Sequence, residues 1–467
     1  MSLHNPKGTR DILPEMMIKR QYLFGKIRRL FEHHAFVQIE TPAFERTEVL
    51  LGKYGEEGDK LIFKILNSGN FLEHVDVNNP NFVNKNYEEL TAEERKELQK
   101  NVKKISDKGL RYDLTIPLAR FVAQHQAAIF FPFKRYQIQT VWRADRPQKG
   151  RYQEFYQCDA DILGSESKWD ELECLTLFDE LFTELQLPVV IHLNHRKILE
   201  AFIQKIGAIE YFEKITTIID KLDKIGWQGV YQDLEKLNLD KKTLKQLDDF
   251  LHLEGDNFEK LNRLSELLKG EVLAQEALEE LNFLLQIWEK NQYKNILKLD
   301  LHLVRGLNYY TGAIFEVTAL QVKMGSIASG GRYANLTDFF GLKNKSGIGL
   351  SFGAERIFDI LEELNLFPTD LTISIDFFFL NFGDLYLKEL FPLIQQLRKK
   401  YKVDYYSRAD KIKKQMKYAD ERNAKYVLSY GEDEQKEGKI KLRNMQTGEE
   451  RKIFLKNLQD IDINFIT

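Results

Sequence analysis

The sequence predicts an α+β protein: an antiparallel sheet flanked by helices, interrupted by a helical insertion and followed by a C-terminal α/β unit. Three observations carry this. Residues 132–145, PFKRYQIQTVWRAD, and 153–163, QEFYQCDADIL, alternate as half-buried strands do, on either side of the loop RPQKGRY. From about 195 to 295 apolar residues recur at spacings of three and four, as in Leu278, Leu281, Leu285 and Trp288, with charges between them. After Pro368 strand-like and helix-like runs alternate, which predicts a small α/β domain. The expected organisation is a discontinuous sheet domain over 1–194 and 296–366, an insertion over 195–295, and a C-terminal domain over 372–467.

Each element has its own signal. Pro14–His34 has helical spacing, with Ile18, Tyr22, Ile27, Leu30 and Phe31 on one face and Pro14 in the first turn. Ala35–Glu45, AFVQIETPAFE, reads as a strand that Pro42 interrupts or ends. Leu61–Leu66 is a second strand. The span Phe71–Lys108 is polar, and NYEELTAEERKELQKNVKK within it reads as a solvated helix or an insertion. LRYDLTIPLARFVAQH resumes as strand, turn and helix, ahead of the hairpin. Strand-like text returns with LKLDLHLVRGLNYYTGAIFEVTA and SIASGGRYANL, and SGIGLSFGAERIFDILEEL reads as a strand running through glycines into a helix.

Composition narrows the class. Of 467 residues 43% are hydrophobic and 30% charged, enough apolar material for more than one core. The net charge is −3, so any basic surface for nucleic acid must be local. Cys158 and Cys174 alone build neither a zinc site nor a disulfide framework, which points to a reducing compartment. The N-terminus MSLHNPKGTRDILPE has no apolar signal core, and no run of eighteen apolar residues occurs. A cytoplasmic protein with no membrane partner is expected.

The hairpin is unusual in its charge. Lys134, Arg143, Arg146, Lys149 and Arg151 stand among Trp142, Tyr152, Phe155 and Tyr156. Arginines on a rigid strand can grip phosphate oxygens through a planar fork, and an aromatic such as Phe155 can stack on a purine. The period of two puts Phe155, Gln157, Asp159 and Asp161 on one face, where Gln157 and Asp161 could orient a polar substrate. The alternative is an exposed ribbon with surface ion pairs. A second cluster, LVRGLNYYTGAIFEV, sets Arg305 beside Tyr309 and Tyr310, with Glu316 further along; a buried structural network would look the same. A third, GIGLSFGAERI, brings Arg356 to a helix start. Neither a phosphate-binding loop nor a dinucleotide fingerprint is present, so a nucleotide would have to sit on an arginine-armed antiparallel sheet.

These stretches resemble class II aminoacyl-tRNA synthetases, and among them the histidyl-tRNA synthetase family. PKGTRDILP resembles the family's N-terminal signature. AFVQIETPAFE, VWRADRPQKGRYQEFYQCD and GIGLSFGAERI resemble class motifs 1, 2 and 3, and LVRGLNYYTG with SGGRY resembles the two segments peculiar to the histidine enzymes. The resemblance spans nearly the whole chain and is weakest over 67–105 and 195–295.

The resemblance implies a class II catalytic sheet, a C-terminal anticodon-binding domain, and a reaction that makes histidyl-adenylate from L-histidine and ATP before charging tRNA-His. It implies that Arg143 holds the α-phosphate, Arg356 the γ-phosphate, and Phe155 the adenine, with Arg151 also in the ATP-binding set. Arg305 approaches both the α-phosphate and the substrate carboxylate. Asp113, Thr115 and Gln157 grip the α-amino group, and Asp161, Tyr309, Tyr310 and Tyr333 belong to the histidine pocket. Glu316 is a carboxylate near the phosphates and a ligand for Mg²⁺. Motif 1 implies a homodimer. Two positions depart from the family pattern: Asn308 and Ala334 stand where the family usually carries Asp.

In the C-terminal domain, Arg398 to Lys425 holds eleven Lys/Arg against four Asp/Glu, with Tyr405, Tyr406 and Tyr418 among them. That is a phosphate-and-stacking surface suited to single-stranded bases, or alternatively a solvated helix pair. The competing function is a non-catalytic synthetase-like protein, either a regulatory subunit or a tRNA-sensing module. Such proteins typically lose the arginines or the anticodon domain; here Arg143, Arg305, Arg356 and a C-terminal domain are all present.

Overall fold

The computed structural model describes residues 3–51, 55–70, 91, 93–95, 104–148, 150–237, 239–304, 310–334 and 336–462. Most of the polar span read as a solvated helix or insertion therefore lies outside the described residues. The chain divides into two compact units, Met1–Asp11 with Tyr22–Leu366, and Ile12–Gln21 with Phe367–Thr467.

The first unit opens with the helix Pro14–His33, whose second half belongs to it. This helix buries Leu23, Phe24, Ile27, Leu30 and Phe31. Its strands follow in chain order. They are β1 (Val37–Gln38), β2 (Phe44–Arg46), β3 (Lys64–Ile65), β4 (Lys108–Leu110), β5 (Phe133–Trp142) and β6 (Glu154–Leu163). Then come β7 (Val189–His195), β8 (Ile296–Leu299), β9 (Tyr310–Ala319), β10 (Ala328–Tyr333) and β11 (Gly347–Gly353). Eight of them form one sheet in the order β1-β5-β6-β11-β10-β9-β7-β8, and β2-β4-β3 form a small second sheet. The large sheet is antiparallel except at its edges, where β1 pairs with β5 and β8 with β7 in parallel.

The single strand expected over Ala35–Glu45 is two short strands in different sheets. Pro42 lies between them; it lacks a backbone N–H and cannot continue a ladder. The strand expected over Leu61–Leu66 shrinks to β3, because only Lys64 and Ile65 find a ladder partner, on β4.

The large sheet has two chemically distinct faces, as strand alternation requires. One is apolar and packs against helices. On it the Phe352 ring meets Phe31 at 5.8 Å, Phe178 at 5.7 Å and Phe182 at 6.0 Å, which joins the helices Pro14–His33 and Trp169–Glu184 to β11. The other face is polar. One cross-strand row on it reads Gln137, Asp159, Ser351, Ser329, Glu316, His192 and Lys298.

Between β7 and β8 the chain forms helices from Arg196 to Lys290, as the spacing of three and four predicts. Phe202 and Phe250 stack at 4.0 Å in their interior, and the last helix buries Leu281, Leu284, Leu285 and Trp288.

The second unit is a five-stranded sheet. Its strands are β12 (Ile375–Phe379), β13 (Val403–Tyr405), β14 (Ala424–Ser429), β15 (Lys439–Asn444) and β16 (Glu450–Phe454), in the order β13-β12-β14-β15-β16. The run IDFFF shows no alternation because both faces are covered. Phe377 and Phe379 pack with Leu390, Ile394 and Leu397 of one helix, and Phe378 packs with Ala419 of another.

Candidate functional site

The polar face of the large sheet carries a cavity of about 370 Å³. The hairpin supplies one side of its wall. Pairing of Val141 with Phe155, Gln139 with Gln157, Gln137 with Asp159 and Arg135 with Asp161 keeps the odd-numbered residues of β5 and β6 on the cavity side. On β11 the matching positions are Gly349 and Ser351. Gly349 has to be glycine, because a Cβ there would collide with Asp161 Oδ1.

Ten expected site residues line this cavity: Asp113, Thr115, Arg143, Arg151, Phe155, Gln157, Asp161, Tyr310, Tyr333 and Arg356. Glu316 is not among the lining residues; it pairs across the ladder with Ser329, which is. Arg305, Asn308 and Tyr309 lie outside the described residues.

Arg143 follows directly on the last residue of β5. Its Nε donates to the Tyr112 carbonyl at 3.0 Å, and its guanidinium lies 4.2 Å from the Tyr112 ring and 5.3 Å from that of Phe155. Arg356 sits in the first turn of the helix Ala354–Glu363. Its Nε donates to the Gly150 carbonyl at 3.0 Å and its Nη1 to the Ser326 carbonyl, so it ties the hairpin loop to the sheet. The hairpin cations thus separate by face. Arg143 and Arg151 border the cavity, Arg146 is exposed, and Lys134 pairs with Glu173 at 2.6 Å on the helix-covered side. Lys149 lies outside the described residues.

Asp113 Oδ1 accepts from the backbone N–H groups of Thr115 at 3.1 Å and Ile116 at 3.2 Å. It is thereby fixed at the start of the helix Thr115–Gln124, where a carboxylate suits the unpaired amides. Asp161 is held from two sides. The Tyr333 hydroxyl donates to its Oδ1 at 2.7 Å, and Arg135 Nη2 stands 2.6 Å from its Oδ2. Burial pushes the Asp161 carboxyl above the usual range, against the opposing pull of Arg135 and Tyr333. Burial, with Asp161 alongside, raises the Tyr333 hydroxyl well above its ordinary value.

Behind Asp161 the chain of contacts continues inward. Arg135 Nη1 donates to Gln137 Oε1 at 3.0 Å, Gln137 Nε2 to Gln139 Oε1 at 2.6 Å, and Arg111 Nη1 to the same Gln139 oxygen at 3.2 Å. Arg135 and Gln137 were missed as site residues by sequence reasoning. The signal was available: in KRYQIQT the polar Arg135, Gln137 and Gln139 alternate with Tyr136 and Ile138, so the hairpin's first strand was polar on the same side as Asp161. At Ala334 the family's usual carboxylate is absent, and the preceding Arg332 has another partner. It binds both oxygens of buried Glu171 and the carbonyls of Ser165 and Ser167.

An antiparallel sheet whose polar face joins arginines, an aromatic shelf and a carboxylate-walled pocket is the arrangement of class II aminoacyl-tRNA synthetases. Comparison with known proteins specifies which. The sequence profile of histidyl-tRNA synthetases matches residues 82–357, and that of the anticodon binding domain matches residues 381–461. The histidine–tRNA ligase of Porphyromonas gingivalis is 46% identical over 447 residues, covering 96% of each chain. Among solved structures, the histidyl-tRNA synthetase of Nostoc sp. PCC 7120 superposes with a TM-score of 0.77 at 26% identity over 98% of each chain. A protein of Bacillus halodurans described as an ATP phosphoribosyltransferase regulatory subunit/histidyl-tRNA synthetase shares the fold at a TM-score of 0.69 and 20% identity, covering 92% of this chain and 98% of its own. The chain belongs to the histidyl-tRNA synthetase family, and is a ligase that charges tRNA.

Proposed function

We propose that this ligase activates L-histidine with ATP on the polar sheet face and then transfers the histidyl group from the adenylate to the 3′ end of tRNA-His. The observation that carries the reading is the convergence of ten expected residues on one cavity, with Arg143 just past the end of β5 and Asp161 toward the far end of β6.

In the first step a histidine carboxylate oxygen attacks the α-phosphorus, the bond to the β-phosphate oxygen breaks, and pyrophosphate leaves. Two anions must approach each other. Arg143 and Arg305 offset that repulsion at the α-phosphate and carboxylate, Arg356 and Arg151 hold the outer phosphates, and Phe155 carries the adenine. Preorganised charge of this kind is worth about 10²–10³ in rate per donor. In the second step the terminal ribose hydroxyl attacks the activated carbonyl and AMP leaves. Asp113, Thr115 and Gln157 take the α-amino group. Asp161 accepts from the imidazole N–H; with Tyr333 and Arg135 fixed on its two oxygens it cannot turn away. Tyr310 lines the same cavity, and Tyr309 is assigned to the histidine with it. Sites built to hydrogen-bond a polar side chain reject apolar isosteres by roughly 10⁴–10⁵.

Mg²⁺ is proposed to enter with the nucleotide. Among the described residues no group of three His, Cys, Asp or Glu side chains could hold a metal by itself. Mg²⁺ at such sites is held by phosphates and one or two carboxylates, and the hard oxygens of Glu316, beside cavity-lining Ser329, suit it. Bound there, the ion would offset phosphate charge.

The C-terminal unit is assigned to the anticodon. All eleven Lys/Arg between Arg398 and Lys425 are exposed, whereas Tyr406 and Tyr418 are half-buried against the core, which leaves the phosphate contacts as the larger contribution. A homodimer through the Pro14–Glu45 region fits the exposure of Val37 at 53% and Phe44 at 50%. A cytoplasmic location fits two free, buried cysteines. Among the described residues no helix is long and apolar enough to cross a membrane. The domain limits 1–194 with 296–366, 195–295 and 372–467 remain part of this proposal.

ATP–pyrophosphate exchange with each common amino acid tests the reading. Histidine alone should support exchange. Exchange with none of them would favour the regulatory alternative, and exchange with another amino acid would show that the pocket is misread.

A further inference from the structure

Asp159 has no role in the scheme above, yet it lines the cavity between Gln157 and Asp161 and is only 3% exposed. Its Oδ1 is buried with no hydrogen-bond partner among the described residues, and the same holds for Gln157 Oε1 two positions back. The Gln157 amide nitrogen is occupied, donating to Ser351 Oγ at 3.3 Å. Two orphaned acceptors therefore stand side by side on one strand face, about 7 Å apart by strand rise. Buried acceptors are seldom left without donors, and a cation with several N–H donors that enters the cavity between them can satisfy both.

We propose that Asp159 is a further binding residue for the α-ammonium group of the amino-acid substrate, and that it releases a proton to solvent when that group arrives. This rests on the cavity being the histidine site. The position fits: Asp159 lies midway between the residue assigned to the amino group, Gln157, and the residue assigned to the imidazole, Asp161.

The charges facing Asp159 explain the proton. Burial pushes its carboxyl up to about 7, against the pull of Arg135 on β5; Asp161 on its own strand and Asp113 ahead of the helix Thr115–Gln124 add to the rise, and the Ser351 hydroxyl on β11 opposes it. Three carboxylates thus face one guanidinium, and near pH 7 about half of Asp159 is the neutral acid. An ammonium cation reverses the balance. The Asp159 O–H bond breaks, its proton leaves to buffer, and the carboxylate accepts from the ammonium N–H. Because the bound form is ionised, histidine affinity falls as pH drops below about 7.

The test uses the full-length protein and Asp159→Asn, which keeps the shape and removes the titration. Calorimetric titration with L-histidine in two buffers of different ionisation enthalpy counts protons released. Wild type should release about half a proton at pH 7 and more at pH 6, and Asp159→Asn should release less at both. In pyrophosphate exchange the variant should raise the histidine KM about tenfold and leave the ATP KM within twofold. Imidazole-lactate, with a hydroxyl in place of the ammonium, should bind both proteins alike. Asp159→Ser serves if circular dichroism shows that the Asn variant is unfolded. Equal proton release, or an unchanged histidine KM, would overturn the proposal. Asp161→Ala separates the two levels: if it too leaves the histidine KM unchanged, the pocket itself is misassigned; if it raises KM while Asp159→Asn does not, only the role of Asp159 fails.

Discussion

Arg135 Nη2 lies 2.6 Å from Asp161 Oδ2, and neither side chain is more than 6% exposed. Buried pairs of this kind add little net stability against an apolar replacement of both partners, but removing one partner leaves an uncompensated charge, which costs about 3–5 kcal/mol. Arg135→Met should therefore lower stability by that order and raise the histidine KM, because Asp161 loses the group that holds its second oxygen. Urea unfolding together with pyrophosphate exchange measures both. Wild-type stability in the variant would mean that Asp161 is already neutral without substrate.

Gly349 faces the same carboxylate from the neighbouring strand. Adding a methyl group would drive it into Asp161 Oδ1, and overpacking of this kind costs about 1–3 kcal/mol. Gly349→Ala should weaken histidine binding by tenfold or more, in keeping with that cost. The ATP KM should stay within twofold, since Arg143 and Arg356 are untouched. A rise in the ATP KM of equal size would show that the strand as a whole had shifted.

The N-terminal segment braces the other end of the cavity. The Arg10 guanidinium lies 3.9 Å from the centre of the Tyr152 ring, its Nη1 donates to the Tyr152 hydroxyl at 3.0 Å, and its Nη2 pairs with Glu355. Gly8 adds its carbonyl to the Gln153 N–H at 2.8 Å. Arg10→Met should loosen residues 150–153 against the helix carrying Arg356 and raise the ATP KM several-fold, with histidine KM unchanged. Lys at this position keeps the charge but not the planar stack, so partial rescue is expected. Amide exchange at Tyr152 and Gln153 no faster than in wild type would refute the bracing role.

His34 provides a pH-dependent contribution on the helix-covered face. Its Nδ1 lies 3.2 Å from Glu173 Oε1 and its Nε2 lies 3.0 Å from Glu180 Oε2. The bond to Glu173 raises the His34 pKa, and the same bond lowers that of Glu173 to about 2. The raised His34 stabilises fully below its unfolded value of about 6.5, and that stability is lost as pH rises through the folded value. The depressed Glu173 stabilises above its unfolded value of about 4.3, and this is lost as pH falls toward 2. His34→Gln should thus cost about 1 kcal/mol near pH 5.5 and clearly less at pH 9. Urea midpoints shifted equally at both values would exclude a charged His34.

The sequence by itself determined what depends on neighbours along the chain. Period-two alternation marked the β5–β6 hairpin and put Phe155, Gln157, Asp159 and Asp161 on one face. Period 3.6 marked Pro14–His33 and the helices between Arg196 and Lys290. Ten of the residues that line the cavity were expected too, most of them through the resemblance to the synthetase family, because the residue types alone left a surface ribbon or a structural network open. Only the tertiary structure decided which faces meet. Alternation says that Arg135 and Asp161 each point to one side of a strand; the hairpin register makes them partners. Nothing local to Arg10 announces Glu355, 345 residues away, or joins Arg332 to Glu171, 161 residues away. Nor does AFVQIETPAFE reveal that its halves pair with different sheets, since a strand exists only where another backbone lies beside it. Such pairings are settled by burying the apolar face around Phe352 once the whole chain is collapsed, and that free energy belongs to no single segment.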